Sequence, residues 1–215
     1  MKETFAALMA FSCLASPVAA HEVWIERDAS GPARIYLGEP ADPVPATGDP
    51  EFPKLKAPKV FEAGSSDSAA LVRRANHIEA ATTGSGDVRL IDDNVFAPWE
   101  GEGGKFEGVV YYAKAGRAAT SPSLDLEIVP TAAGADSFVV TWLGKPLADA
   151  KVVVINPERW QKSFTASGDG RIDVPVSAAG RYLVSVSHNV EGDRTLGGKT
   201  VAKTIHVSTL TFVAD

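Results

Sequence analysis

The chain has 215 residues, of which 45% are hydrophobic and 22% are charged. These values are close to the average of globular proteins, so neither a disordered nor a collagen-like chain is indicated. The formal net charge is −6, and no run of Lys or Arg exceeds two residues. Nucleic-acid binding is therefore disfavoured, because phosphate contacts need a clustered basic surface. The 19 Gly and 14 Pro residues suit a β protein with many turns.

The first twenty residues have the pattern of a secretory signal peptide. Lys2 supplies a positive start, residues 5–14 form an apolar run, and small residues lead to Ala20 at the expected cleavage position. The run is too short for the ~20 residues of a membrane-spanning helix, and no later segment is long and apolar enough. We predict an exported protein that does not span a membrane and whose mature chain begins at His21. The single cysteine, Cys13, would leave with the signal.

Short β-branched or alternating runs follow one another along the mature chain and predict strands. Before residue 130 they are residues 23–25, 33–37, 88–91, 108–114 and 124–129. Between them, residues 38–58 contain six prolines and predict an irregular loop. A short helix is possible only near residues 68–73.

From residue 136 onward the strand pattern becomes more regular. Candidate strands at 138–142, 151–155, 161–165, 171–174, 181–188 and 200–212 are separated by turn residues, a spacing typical of an antiparallel sandwich. The segment PTAAG at 130–134 is a natural boundary. We therefore predict an all-β protein with two antiparallel sandwich-like domains, residues 21–130 with the proline-rich loop and residues 131–215.

The histidine that would begin the mature chain carries the strongest chemical signal. Its free α-amine and its Nδ1 atom can bind one cation in a six-membered chelate. Such nitrogen donors suit Ni²⁺, Co²⁺, Cu²⁺ and Zn²⁺, and intrinsic affinity favours Cu²⁺. Because the ordinary pKa of an α-amine is about 8, affinity should fall as the pH drops.

Three further residues are candidate ligands with His21. His188 shares the strand parity of three preceding apolar residues, so it should lie on the buried face at the end of the core. There it would bind a metal ion or hydrogen-bond as a structural histidine. His206 has the opposite parity to its apolar neighbours and is expected on the solvent side or at a rim. Glu22 could supply an oxygen ligand or an outer contact to a cation held by His21. His77, which follows two arginines, is expected to be structural.

Several segments of the mature chain form a set in a fixed order. They are the opening HEVWIE at 21–26, LEIVP at 126–130, GKPLADAKV at 144–152, SGDGR at 167–171, AGRYLV at 179–184 with His188, and STLTF at 208–212. Together they resemble the DUF4198 family, a family of periplasmic components of nickel or cobalt uptake systems. The resemblance implies a transthyretin-like C-terminal domain, a periplasmic location, Ni²⁺ or Co²⁺ as the metal, and a membrane transporter as partner. It also supports the ligand roles of His21 and His188.

Two other functions stay open. The protein could be an interaction module that docks onto an envelope protein or glycan without a metal ion. It could also be a copper oxidase in which His21 and a second histidine hold Cu²⁺. No G-x-S-x-G elbow, H-E-x-x-H helix or phosphate loop is present, so we predict a binding protein and not an enzyme.

Overall fold

The computed structural model describes residues 21–28, 31–65 and 67–215. The predicted signal peptide, residues 1–20, lies outside the described residues. In chain order the strands are β1 (Glu22–Glu26), β2 (Ala33–Gly38), β3 (Lys59–Glu62), β4 (Leu71–Arg73), β5 (Ile78–Ala80), β6 (Val88–Asp92), β7 (Trp99–Glu100), β8 (Phe106–Ala115), β9 (Leu126–Pro130), β10 (Ser137–Trp142), β11 (Lys145–Pro146), β12 (Lys151–Ile155), β13 (Gln161–Thr165), β14 (Arg171–Asp173), β15 (Gly180–Leu196) and β16 (Lys199–Ala214). Single 3₁₀ turns occur at Phe52–Lys54 and Glu102–Gly104.

An eight-stranded sheet forms the middle layer of the protein. Its order is β13-β12-β15-β16-β8-β6-β3, with β7 paired to β8. Strand β8 is buried on both faces, because Val110 and Tyr112 enter one hydrophobic core while Val109 and Tyr111 enter the other. A continuous apolar run is expected of a strand that is covered on both sides.

The sheet β1-β2-β5-β4 covers part of one face of the middle sheet. Strand β1 is also tied to the middle sheet by side chains of β16. The hydroxyl of Thr209 donates to the carbonyl of Val23 at 2.8 Å, and the hydroxyl of Thr211 donates to the carbonyl of Ile25. These bonds fix where the start of the described chain lies on the sheet.

The sheet formed by β11, β10, β14 and β9 packs against the opposite face. Aromatic side chains fill this second core, where the ring of Tyr182 stacks on Phe212 with centroids 5.4 Å apart and Phe138 lies against the same ring. The long strands β15 and β16 are joined by a two-residue turn, Gly197 and Gly198, at φ of 54° and 78°. Glycine adopts such angles without steric cost, and this turn geometry matches the twist of a hairpin.

A buried cluster of charges lies between the middle sheet and β9. Asp87, Arg89, Lys114 and Glu127 are each at most 3% exposed. Arg89 Nε donates to Glu127 Oε1 at 2.8 Å, and Lys114 Nζ lies 3.2 Å from Asp87 Oδ2. The two carboxylates also accept backbone N–H groups of residues 118, 119, 123 and 124. The cluster therefore anchors the link between β8 and β9.

The all-β prediction is confirmed. One pairing departs from the predicted antiparallel pattern, because β16 runs parallel to β8. The same pairing joins strands from both sides of the proposed boundary at 130 in one sheet.

The short helix near residues 68–73 was a wrong prediction, because residues 71–73 form β4 and pair with β5. Among the described residues, no helix has the length and apolar character needed to cross a membrane.

Candidate functional site

His21 is held at the start of β1 by two contacts from distant parts of the chain. Its Nε2 atom lies 3.1 Å from Asp49 Oδ1, and the Tyr111 hydroxyl donates to its carbonyl at 3.0 Å. Asp49 is positioned by the turn before Phe52–Lys54, where its Oδ1 atom also accepts the N–H of Glu51 at 2.7 Å. The His21 side chain is 30% exposed, so an ion in solution can reach it.

The contact with Asp49 determines which imidazole nitrogen is available. A carboxylate on Nε2 favours the tautomer that carries its proton there, which leaves Nδ1 as an acceptor with a lone pair. Nδ1 is the nitrogen that closes a six-membered chelate with an α-amine. In a chain that begins at His21, the α-amine and this Nδ1 atom would both be available as donors.

Glu22 lies beside a cleft of about 560 Å³ between β1, the loop at residues 39–42 and strands β12, β13 and β15. Its Oε1 atom accepts the Ser185 hydroxyl at 2.6 Å. Its Oε2 atom is buried without a hydrogen-bond partner among the described residues. Burial raises the pKa of Glu22 to about 7, because it outweighs the opposite effect of the Ser185 hydrogen bond.

His188 and His206 face each other across the β15–β16 pair. Both rings lie against Trp142, with centroid distances of 4.9 and 4.5 Å. The Tyr112 hydroxyl lies 3.0 Å from His206 Nδ1 and donates to Asp125 Oδ2 at 3.3 Å. Burial lowers the pKa of His188, and burial together with the charge of Arg194 lowers that of His206 to about 4. Both imidazoles are therefore neutral at pH 7.

The solvent-side position expected for His206 was wrong. Its side chain is buried, with the residue only 1% exposed, because β9 and β10 cover the face of the middle sheet that a two-layer interpretation leaves to water. His188 lies at the end of that core, as its parity predicted.

The four predicted ligands lie in two pairs on opposite faces of the middle sheet. Glu22 binds Ser185, whereas His206 packs with Tyr112 on the other side. Successive residues of a strand point to opposite faces. Ser185 of β15 therefore lies on the face of Glu22, whereas His188 of the same strand lies with His206 on the face of Trp142. Within residues 21–28, 31–65 and 67–215, no group of three or more His, Cys, Asp or Glu side chains is arranged to hold a metal ion.

Comparison of the chain with protein-family models, with curated proteins and with solved structures gives no match. The resemblance to the DUF4198 family and the transthyretin-like detail of the C-terminal part therefore stay predictions.

Little in the sequence indicates the residues that orient His21 and Glu22. Asp49 lies in the proline-rich loop, where no periodic pattern singles out one polar residue. Ser185 alternates with Val184 and Val186, so the sequence predicts that it lies on the face of the strand opposite to theirs. The sequence does not predict that Glu22 of β1 is its partner there. Trp160 is exposed at 77% and Trp99 at 37%, and neither tryptophan is marked by its sequence context as the more exposed one.

His77 has structural contacts, in line with the role expected for it. Its Nδ1 atom lies 2.7 Å from Asn76 Oδ1, and its ring lies against Tyr36 with centroids 5.5 Å apart.

Proposed function

We propose that the protein binds a divalent transition metal ion, Ni²⁺ or Co²⁺ in preference, and delivers it to a membrane uptake transporter from the periplasm. The ligands are the α-amine and Nδ1 of His21 in a chain cleaved after Ala20. The observation that carries the proposal is the 3.1 Å contact between His21 Nε2 and Asp49 Oδ1. A carboxylate on the second nitrogen of a metal-binding histidine fixes the ring and makes it a stronger donor.

The incomplete donor set is consistent with capture and release. The amine and Nδ1 supply two ligands, and His188 and His206 lie on the opposite face of the middle sheet. The remaining positions on the ion are then open to water or to a donor from a receiving protein. A structural metal site, by contrast, is closed by protein ligands.

The copper-oxidase alternative has less support, because it places a second imidazole beside His21. The rings of His188 and His206 instead pack on Trp142 across the middle sheet, and the His77 ring packs on Tyr36.

The envelope-interaction alternative is supported by one observation, the exposed Trp160 at the hairpin between β12 and β13, where a flat ring can contact a sugar or a protein surface.

The test is calorimetric titration of Ni²⁺, Co²⁺, Cu²⁺ and Zn²⁺ into a chain whose first residue is confirmed by mass as His21. The matched control is the same chain with its α-amine acetylated, which keeps the imidazole and removes the amine as a donor. We expect tight binding to the first chain and its loss in the second. A His188→Ala variant should bind Ni²⁺ as the unmodified mature chain does.

Equal binding to both chains would move the metal away from the amine and refute the chelate. No binding to either chain, together with saturable binding of a glycan or an envelope partner that a Trp160→Ala variant loses, would support the interaction module. Stronger affinity for Cu²⁺ alone does not identify the metal carried, because that preference is general for nitrogen donors.

A further inference from the structure

The middle sheet is covered unequally on the face that carries β1. The sheet β1-β2-β5-β4 covers the part built from β8, β6 and β3, whose side chains form one core. Towards β12 the covering narrows to the rings of Trp24 and Tyr36, which pack with Ile155 and Leu183, and the cleft of about 560 Å³ opens beside them. We call it the Glu22 cleft, bounded by Glu22, the loop at residues 39–42, and β12, β13 and β15. Its volume is in the usual range of small-molecule sites.

One wall of the Glu22 cleft carries a buried acceptor without a donor. Ser185 saturates Oε1 of Glu22, while Oε2 is buried and has no hydrogen-bond partner within the described residues. Buried polar atoms are nearly always paired, so an unpaired carboxylate oxygen beside a cavity indicates a missing donor. The lysine of the cleft does not supply it, because Lys151 Nζ donates to Thr165 Oγ1 at 2.7 Å.

The charges around the cleft favour a cation as the occupant. Glu22, Glu39 and Asp42 line it together with one basic residue, Lys151. These carboxylates are not gathered around one point, since the part of the chain that the structure describes contains no group of three side chains able to hold a metal ion. A cation with an extended body fits dispersed carboxylates better than a bare ion.

The surfaces beside Glu22 are apolar. Val153 and Ile155 of β12 and Val207 of β16 line the cleft with Pro40 and Ala41 of the loop. A hydrocarbon chain or ring on these residues would be removed from water, which contributes roughly 25 cal/mol for each Å² buried.

We propose that the Glu22 cleft binds a small organic amine. Its ammonium group pairs with the Glu22 carboxylate after a rotation of that side chain brings Oε2 into the cleft, and its hydrocarbon body lies beside Val153, Ile155 and Val207. This site is separate from the metal chelate, which uses the amine and Nδ1 of His21. It assigns to Glu22 a role other than that of a metal ligand.

The proposal is tested by titrating hexylammonium into the chain with one extra N-terminal alanine, which lacks the free amine of His21. Hexanol and hexanoate have the same hydrocarbon body and serve as neutral and anionic controls. Calorimetry at about pH 8, where hexanoate and most Glu22 carboxyls are ionised, measures the three affinities. We expect saturable binding of hexylammonium and at least tenfold weaker binding of both controls, since a charged hydrogen bond is lost in each.

Two variants locate the binding. Glu22→Gln keeps an oxygen for the Ser185 hydroxyl and removes the charge, so affinity for hexylammonium should fall at least tenfold. Ser163→Phe, on the exposed edge strand β13, places a ring in the cleft without altering Glu22 and should also weaken binding. Asp173→Asn removes an exposed carboxylate from β14 and should leave the affinity unchanged.

The proposal is overturned if hexanol or hexanoate binds as well as hexylammonium. It is equally overturned if Glu22→Gln and Ser163→Phe, each shown by thermal melting to be folded, bind hexylammonium like the parent chain. Because every titration uses the chain without the metal chelate, these outcomes are independent of whether the protein binds Ni²⁺ or Co²⁺.

Discussion

Replacement of Glu22 by Gln should remove a pH-dependent penalty on folding. In the folded protein burial raises the pKa of this carboxyl from 4.5 to about 7. The unfolded chain therefore releases its proton at a lower pH than the folded chain does. The contribution of Glu22 to the unfolding free energy of the wild-type protein is fully present below about pH 4.5 and is lost as the pH rises through about 7. The difference of about 2.5 units corresponds to roughly 3 kcal/mol of unfolding free energy.

Urea unfolding of the two proteins between about pH 4 and pH 9 measures this effect. Glutamine does not titrate, so the free-energy difference between variant and wild type should be small at low pH. It should grow in favour of the variant to roughly 3 kcal/mol above about pH 8. Asp92, whose pKa burial also raises, titrates in both proteins and cancels in the difference. A difference that is constant with pH would refute the reasoning.

The other predictions concern the buried charges, the chelate and the buried histidine. Glu127→Gln leaves Arg89 buried without its counter-charge and should lower the unfolding free energy measured in urea by about 3–5 kcal/mol. The control Arg171→Met, at an exposed ion pair, should change that free energy by less than about 0.5 kcal/mol. Equal effects of the two substitutions would contradict the role of burial. Asp49→Asn should weaken calorimetric Ni²⁺ binding about 10–100-fold, and an unchanged affinity would separate Asp49 from the site. The pKa of His206 should be about 4 in an NMR pH series. The contribution of this residue to stability should be lost as the pH falls from about 6.5 towards 4. A pKa near 6.5 would show that the ring is not desolvated.

The longer strands were predictable because their signals are local, whereas the short strands β3, β4, β5, β7 and β11 were not predicted. Alternating and β-branched runs and the proline-rich loop at 38–58 each follow from a few neighbouring residues. The three-layer arrangement depends on which faces meet. The run GVVYYAKA in β8 is typical of a strand covered on both sides, but it does not specify which strands cover it.

The candidate site shows the same division between local and distant determinants. The chelating potential of His21 follows from one residue and a cleavage position. The Asp49 contact joins residues 28 positions apart, and the bond between Glu22 and Ser185 joins residues 163 positions apart. The misplacement of His206 has the same origin, since parity assigned it to the correct face while the sheet that covers that face lies elsewhere in the chain.

The parallel pairing of β8 with β16 also constrains the order in which the protein can fold. Strand β8 is complete by residue 115, yet its neighbour in the middle sheet consists of the 16 residues that end at Ala214. During synthesis one long edge of β8 therefore keeps its backbone N–H and C=O groups unpaired until residues 199–214 have been made. Contacts of such long sequence separation slow folding and expose a strand edge to wrong partners.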